Sequence, residues 1–194
     1  MRKLTYLAAA TIDGFIASPD RSDQSSNGLM TPTPEYLPHM LAAFPEIVPT
    51  HAREALGIAE AEHRHFDTVV EGRRSYEVGL RAGITNAYAH LEHYVFSRTL
   101  TESPDPGVQL VATDPVEKIR ELKARPGKKI WLVGGAKLAA ALRPEIDELI
   151  IKLNPVVAGA GIALFDGEFS PEQFDLTSAE RIPGGVVHLT YAKR

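Results

Sequence analysis

The chain contains no cysteine, which excludes disulfides and thiolate metal sites and leaves its chemistry to other side chains. That absence fits a reducing compartment, and the cytoplasm is the expected location. No apolar run is long enough to cross a membrane. The stretch after Met1-Arg2-Lys3 is short and soon reaches Asp13, so it reads as a first strand rather than a secretory signal, and no membrane partner is expected. Long basic runs are missing as well, and a net charge of −4 argues against nucleic acid as a partner. No G-x-G-x-x-G follows the first strand. The near match Gly159-Ala160-Gly161-Ile162-Ala163-Leu164 comes late and lacks its third glycine, which sets aside the common dinucleotide fingerprint. Neither an internal repeat nor a low-complexity segment is visible, and 194 residues suit one domain spanning 1–194.

What is present begins with Thr68-Val69-Val70-Glu71, an apolar strand that runs straight into Gly72-Arg73-Arg74-Ser75-Tyr76. Gly72 lets the backbone turn tightly and approach a ligand. The helix that follows offers free N–H groups and the positive end of its dipole to an anion. Two arginines in that first turn oppose the dipole, and a bound phosphate would remove the conflict through bidentate contacts. Solvated surface arginines would give the same sequence. A second turn of this kind is Lys129-Ile130-Trp131-Leu132-Val133-Gly134-Gly135-Ala136-Lys137-Leu138-Ala139. Its apolar run reads as a strand buried on both faces, and a strong helix former follows the glycine pair. Close packing of helix on strand also selects glycine, so one such turn says little. Two in one small chain point to a nucleotide.

The rest of the chain alternates strand and helix. Strands are expected at 4–10, 68–71, 93–96, 108–112, 129–133 and 148–153, with a helix started by Asp114-Pro115 in good capping form. Residues 18–33 read as a polar loop, and 34–61 as helical stretches broken by Pro38, Pro45 and Pro49. Runs at 174–181 and 186–192 flank Pro183-Gly184-Gly185 as an antiparallel hairpin. The expected class is α/β, a mostly parallel sheet ending in that hairpin.

In this order, Thr11-Ile12-Asp13-Gly14-Phe15-Ile16-Ala17, Val69 to Glu77, Val95-Phe96-Ser97-Arg98-Thr99-Leu100, Ile130 to Leu142 and Asn154-Pro155-Val156-Val157 to Phe165 resemble the dihydrofolate reductase-like superfamily. More narrowly, the chain is similar to the reductase domain of the bifunctional riboflavin-biosynthesis deaminase-reductase and its stand-alone relatives. Residues 18–61 are the variable part. The resemblance implies a three-layer fold, a homodimer, and NADPH as cofactor. It places Ala9 and Ala10 beside the nicotinamide, with Asp13 and Gly14 in a loop covering it. Gly72, Arg73, Arg74 and Ser75 would bind cofactor phosphates, and Ser97 and Arg98 the adenosine 2′-phosphate. Gly134, Gly135, Ala136, Lys137 and Leu138 would cradle the pyrophosphate. Enzymes of this class pass a hydride to a C=N or C=O carbon, the cofactor carrying the hard chemistry.

The acid beside the substrate stays open. Asp20, Asp23 and Glu35 follow the first strand, where folate-reducing relatives keep a carboxylate. Val133 stands where pyrimidine-reducing relatives carry an acid. Glu71 departs from the apolar residue usual before that glycine; it reads either as a buried acid near the site or as a strand-end carboxylate in solvent. His63-x-His65 and His90-x-x-His93 have metal-binding spacings but read as solvated histidines, so no metal is expected. Asp147-Glu148 reads as a surface pair, and Trp131 and Phe96 as core. Two functions remain: an NADPH-dependent reductase of a small heteroaromatic, pterin-like or aminouracil-like molecule, and a non-catalytic nucleotide-binding or interaction protein that kept the cleft.

Overall fold

Strand β6 (Lys129–Gly134) sends side chains to both sides of the sheet: Ile130 and Leu132 enter one buried cluster, Trp131 and Val133 another. A strand buried on both faces needs parallel neighbours and a covering layer on each side. In the computed structural model, which describes residues 1–20, 27–30 and 34–194, β1 (Leu4–Ala10) and β3 (Phe66–Gly72) flank it in parallel. Outward lie β4 (Glu92–Phe96) and β5 (Val108–Val111) beyond β3, and β7 (Ile146–Leu153) beyond β1, all parallel. An antiparallel pair, β9 (Phe174–Arg181) and β10 (Val187–Lys193), completes the eight-stranded order β5-β4-β3-β6-β1-β7-β10-β9. A separate ribbon joins β2 (Phe15–Ala17) to β8 (Ile162–Ala163).

Helices α4 (Pro115–Ala124) and α5 (Ala136–Leu142) cover one face, where Ile119, Leu122, Ala139 and Leu142 pack on Leu4, Tyr6, Ile130 and Leu132. Asp114 caps α4 by accepting the N–H groups of Val116 and Glu117 at 2.8 and 3.1 Å. On the other face α3 (Arg73–Arg81) sets Tyr76 against Val95 and Val108. There too α1 (Tyr36–Ala43) packs Tyr36 and Met40 on Ile182 and Val186, and a 3₁₀ turn (Pro45–Ile47) leads to α2 (Thr50–Arg53). The sheet is therefore sandwiched between helical layers, as the alternation of the sequence implied.

Three details differ from expectation. Pro38 does not break α1, because it falls in the first turn, where a backbone N–H has no helical acceptor to lose. The short β8, which is not among the strands expected from the sequence, pairs antiparallel with β2. Asp147 and Glu148 are not a free surface pair: Asp147 accepts from Leu4 N–H and meets Lys123 Nζ, each at 2.7 Å, while Glu148 binds Lys129 Nζ at 2.7 Å and the Thr5 hydroxyl at 3.0 Å.

The covering layer is tied down by buried charge. Glu46 is fully buried, and its Oε1 accepts the N–H groups of His65 and Phe66 at the entry to β3. Arg53, also buried, donates to the carbonyls of Pro45 at 2.6 Å and Ala61 at 3.2 Å. Further along, Lys152 on β7 holds its amine 3.7 Å from the Tyr36 ring centroid, and His188 Nε2 lies 3.2 Å from the Tyr36 hydroxyl. Burial first, and then the charges of His39 and Lys152, push His188 down to about 4.

Two outcomes follow from these buried groups. Glu46→Ala should lower the unfolding free energy by about 2 kcal/mol, since it strands two backbone N–H groups, and Glu46→Gln should lower it less. Urea denaturation measures both, and an alanine loss below about 0.5 kcal/mol would contradict the role, given the usual penalty for such stranded donors. His188 is neutral in the fold, so unfolding takes up a proton once pH drops below its ordinary value of 6.5. Its contribution is complete above that pH and is lost as pH falls towards 4. Stability measured from pH 7 to 4 should decline, and His188→Gln should flatten the decline; an unchanged slope would remove His188 as its cause.

Candidate functional site

Pairing of β3 with β6 brings the two glycine turns of the sequence side by side. Gly72 is in extended conformation at the N-terminus of α3, while Gly135 has φ +96°, a backbone state that other residues rarely adopt. A Cβ on Gly135 would lie 3.7 Å from the Cα of Gly72, so the turns are in contact. They form one edge of a cleft of about 1550 Å³ that runs across the carboxyl ends of the central strands.

Most of the expected cofactor residues share this cleft: Ala9, Gly72 to Ser75, Ser97, Arg98 and Gly134 to Leu138 all line it. Arg74, Arg98 and Lys137 make no ion pair with a described residue, whereas Arg73 is held by Glu77 at 3.1 Å, one helical turn along. Ser97 uses its Oγ to accept the N–H groups of Thr99 and Leu100 at 3.2 and 2.8 Å, shaping the turn that presents Arg98. Ala10 stands off the wall, buried towards the opposite face, and its carbonyl accepts the Asn154 N–H at 2.8 Å. Asp13 and Gly14 are off it too. The Asp13 carboxylate accepts the Thr11 hydroxyl at 2.6 Å and the Gly159 N–H at 2.7 Å, which holds its pKa down to about 2. The Gly159 bond and that from the Ala158 N–H fasten the turn after β1 to the connection after β7.

Among the acid candidates, Asp20 and Glu35 do not line the cleft, and Asp23 lies outside the described residues. Glu71 does line it. It is not a solvent-facing strand end but only 4% exposed, and its Oε1 is 2.9 Å from Nε2 of His93. His93 is 0% exposed, which corrects its reading as a solvated histidine. Its Nδ1 lies 2.9 Å from Asn86 Oδ1. His90 is engaged as well: its ring nitrogens meet Thr50 Oγ1 at 2.7 Å and the Glu46 carbonyl at 2.9 Å, and burial pushes its pKa down. Among the described residues no group of three or more acids and histidines could hold a metal.

Tyr88, Trp131 and His51 complete the wall around Glu71, and sequence reading had not linked them to the site. Tyr88 packs edge-on to Trp131 with ring centroids 4.9 Å apart, and Leu7 and Ala9 of β1 form the floor. Burial, and after it the Glu71 charge, pushes the Tyr88 phenol up, so it stays protonated. The cleft therefore has a cationic, glycine-rich half and an aromatic half containing one carboxyl group. Trp131 was legible as core; that it also faces the cleft depends on which strand lies beside it.

Comparison with known proteins agrees with this architecture. The profile of the RibD C-terminal domain matches residues 2–188. Two uncharacterized proteins of Bacillus subtilis (strain 168) are similar in sequence. YyaP is 29% identical over 139 residues, covering 65% of this chain and 73% of its own. YwjB is 32% identical over 133 residues, covering 68% and 76%. Among solved structures, a provisionally assigned riboflavin biosynthesis protein from Shewanella sp. PV-4 superposes with TM-score 0.74 at 23% identity, over 99% of both chains. A diaminohydroxyphosphoribosylaminopyrimidine deaminase/5-amino-6-(5-phosphoribosylamino)uracil reductase from Thermotoga maritima does so with TM-score 0.66 at 16% identity. The match covers all of this chain but 57% of that one. These likenesses establish the dihydrofolate reductase-like fold. With the profile spanning nearly every residue from one end to the other, the chain belongs to the RibD C-terminal domain family.

Proposed function

We propose that this protein is an NADPH-dependent reductase acting on a C=N or C=O bond of a small heteroaromatic, pterin-like or aminouracil-like molecule. The observation that carries the reading is the contact between the Gly72 and Gly135 turns, ringed by Arg74, Arg98 and Lys137, cations with no ion-pair partner among the described residues. Glycine at these positions lets backbone amides meet phosphate oxygens directly, and the free cations supply charge-assisted bonds. Ser97 and Arg98 would take the 2′-phosphate, and Gly134 to Leu138 the pyrophosphate. When bound, the cofactor supplies hydride. The chain supplies the phosphate grip, a floor of small and apolar residues at Ala9 and Leu7, and the aromatic wall of Tyr88 and Trp131 against which a planar ring can stack.

Isothermal titration should show NADPH binding more tightly than NADH. Arg98→Ala should weaken NADPH by about tenfold or more, since a charged hydrogen bond contributes roughly 1.5–3 kcal/mol, and should leave NADH nearly unchanged. Equal affinity for both nucleotides would end the 2′-phosphate assignment. Turnover is then followed as NADPH oxidation against a panel of pterins, aminouracils and small imines. Binding without turnover on any of them would favour the nucleotide-binding protein that lacks chemistry. A homodimer belongs to the same reading, with the open edge of β9 as the available surface. Sedimentation at micromolar concentration should return a dimer mass, and a monomer would remove that element.

A further inference from the structure

The hydrogen bonds behind Glu71 define how many protons it shares. Asn86 Oδ1 accepts the backbone N–H of Tyr88 at 3.2 Å, and its amide nitrogen faces Asp105 Oδ1 at 3.4 Å. Both contacts set the amide one way round, with the oxygen towards His93. An amide oxygen only accepts, so Nδ1 of His93, 2.9 Å away, must carry a proton. The other ring nitrogen then faces a carboxyl oxygen at 2.9 Å, and two lone pairs cannot face each other at that distance. One further proton therefore sits between Nε2 and Oε1. Written as imidazolium with carboxylate or as imidazole with carboxylic acid, the pair holds one proton more than a neutral histidine beside an ionised glutamate.

This proton lies at the cleft. His93 is fully enclosed, but Glu71 lines the cleft wall, and its second oxygen makes no hydrogen bond to a described residue. The neighbouring titratable groups are Tyr76 and Tyr88, both edge-on to the His93 ring with centroids 5.9 Å away, and Asp105 behind Asn86. His51, Arg73 and Arg74 stand along the same wall. Neither tyrosine supplies the bond that fixes the pair: the Tyr76 hydroxyl is spent on the Thr85 carbonyl at 2.7 Å and on Ser103 at 3.0 Å.

We propose that Glu71, kept loaded by His93, is the proton donor of this site. The inference rests on the reductase reading above. As the substrate carbon of a C=N or C=O bond gains hydride from the reduced nicotinamide, the π pair moves to the nitrogen or oxygen. That atom takes the proton from Glu71 as the carboxyl O–H bond breaks. The substrate is reduced by two electrons and the nicotinamide oxidised. Glu71 is left as a carboxylate beside a histidine protonated only at Nδ1, and a proton from water restores the pair. A turn of the carboxyl group about its last side-chain bond carries the proton from the His93 side to the cleft side. His93 acts here as a positioning residue that never meets substrate, and Asn86 holds its tautomer.

Long-range ¹H–¹⁵N spectra of the unliganded wild-type protein read the proton directly, whatever the protein reduces. Nδ1 of His93 should be protonated and Nε2 protonated or sharing a proton. In Glu71→Gln, whose amide can donate to Nε2, that nitrogen should become a bare acceptor while Nδ1 is unchanged. A bare Nδ1 in the wild type would overturn the proposal and leave the reductase reading intact. With the panel compound that the wild type reduces, Glu71→Gln should slow kcat by about a hundredfold or more, the range of general acid catalysis. It should keep NADPH affinity. Unchanged kcat in Glu71→Gln would overturn the donor role even with a loaded pair. A wild type that binds NADPH but reduces nothing in the panel would remove the reductase reading, and the donor role with it.

Discussion

Parallel pairing of β3 with β6 is the interaction on which the site depends. Val69 lies opposite Trp131 and Val70 opposite Leu132, after which the register shifts so that Glu71 meets Gly134. Both strands therefore end at the same level, and the two glycine turns touch. Alternation along the strand then sends Val70 into the cluster under α4 and α5, while Val69 and Glu71 face the other side. A slip of one residue would exchange these faces, burying a carboxylate among leucines and moving a valine into the cleft. The hydrophobic partition of β6 between two clusters is what makes such a slip costly.

Charge is distributed over the cleft in two different ways. Along the glycine turns Arg74, Arg98 and Lys137 are exposed and make no ion pair with a described residue, so solvation makes them inexpensive and leaves them available to a polyanion. In the aromatic half Glu71 is enclosed and accompanied by His93, so the pair enters the low-dielectric region with little net charge. An isolated buried carboxylate would be far more expensive. Arg73 belongs to neither group, because Glu77 already neutralises it.

The described residues 34–65 before β3 form short pieces held by polar bonds rather than a long helix. Glu46 binds the chain entering β3, Arg53 gathers the carbonyls of Pro45 and Ala61, and Tyr36 closes over Lys152 and His188. Prolines set the lengths of these pieces, and the buried charges fix where they sit. This layer closes one side of the aromatic half of the cleft through His51 and the residues around it.

Sequence alone determined the strand–helix alternation, the parallel class, the C-terminal hairpin and both glycine turns. Each of these is written in local period, in capping residues such as Asp114-Pro115, or in the backbone freedom of glycine. Most of the cationic half was legible for the same reason, since Arg74, Arg98 and Lys137 each follow a strand end. The aromatic half was not. Glu71, His93, Asn86, Tyr88 and Trp131 come from three strands and a loop, and no spacing along the chain reveals that they meet. A Glu and a His embedded in apolar strands are a signal of a buried pair. Only the β3–β4 register, with Val69 opposite His93 and Glu71 opposite Val95, joins them. Asp13 shows the converse: its place in a family motif was plain, but the N–H groups of Ala158 and Gly159 that it accepts from the neighbouring connection depend on where β7 ends in space. Local chemistry decides which elements form, whereas the partner of a buried polar group is decided by strand order and register, which arise from packing across the whole sheet.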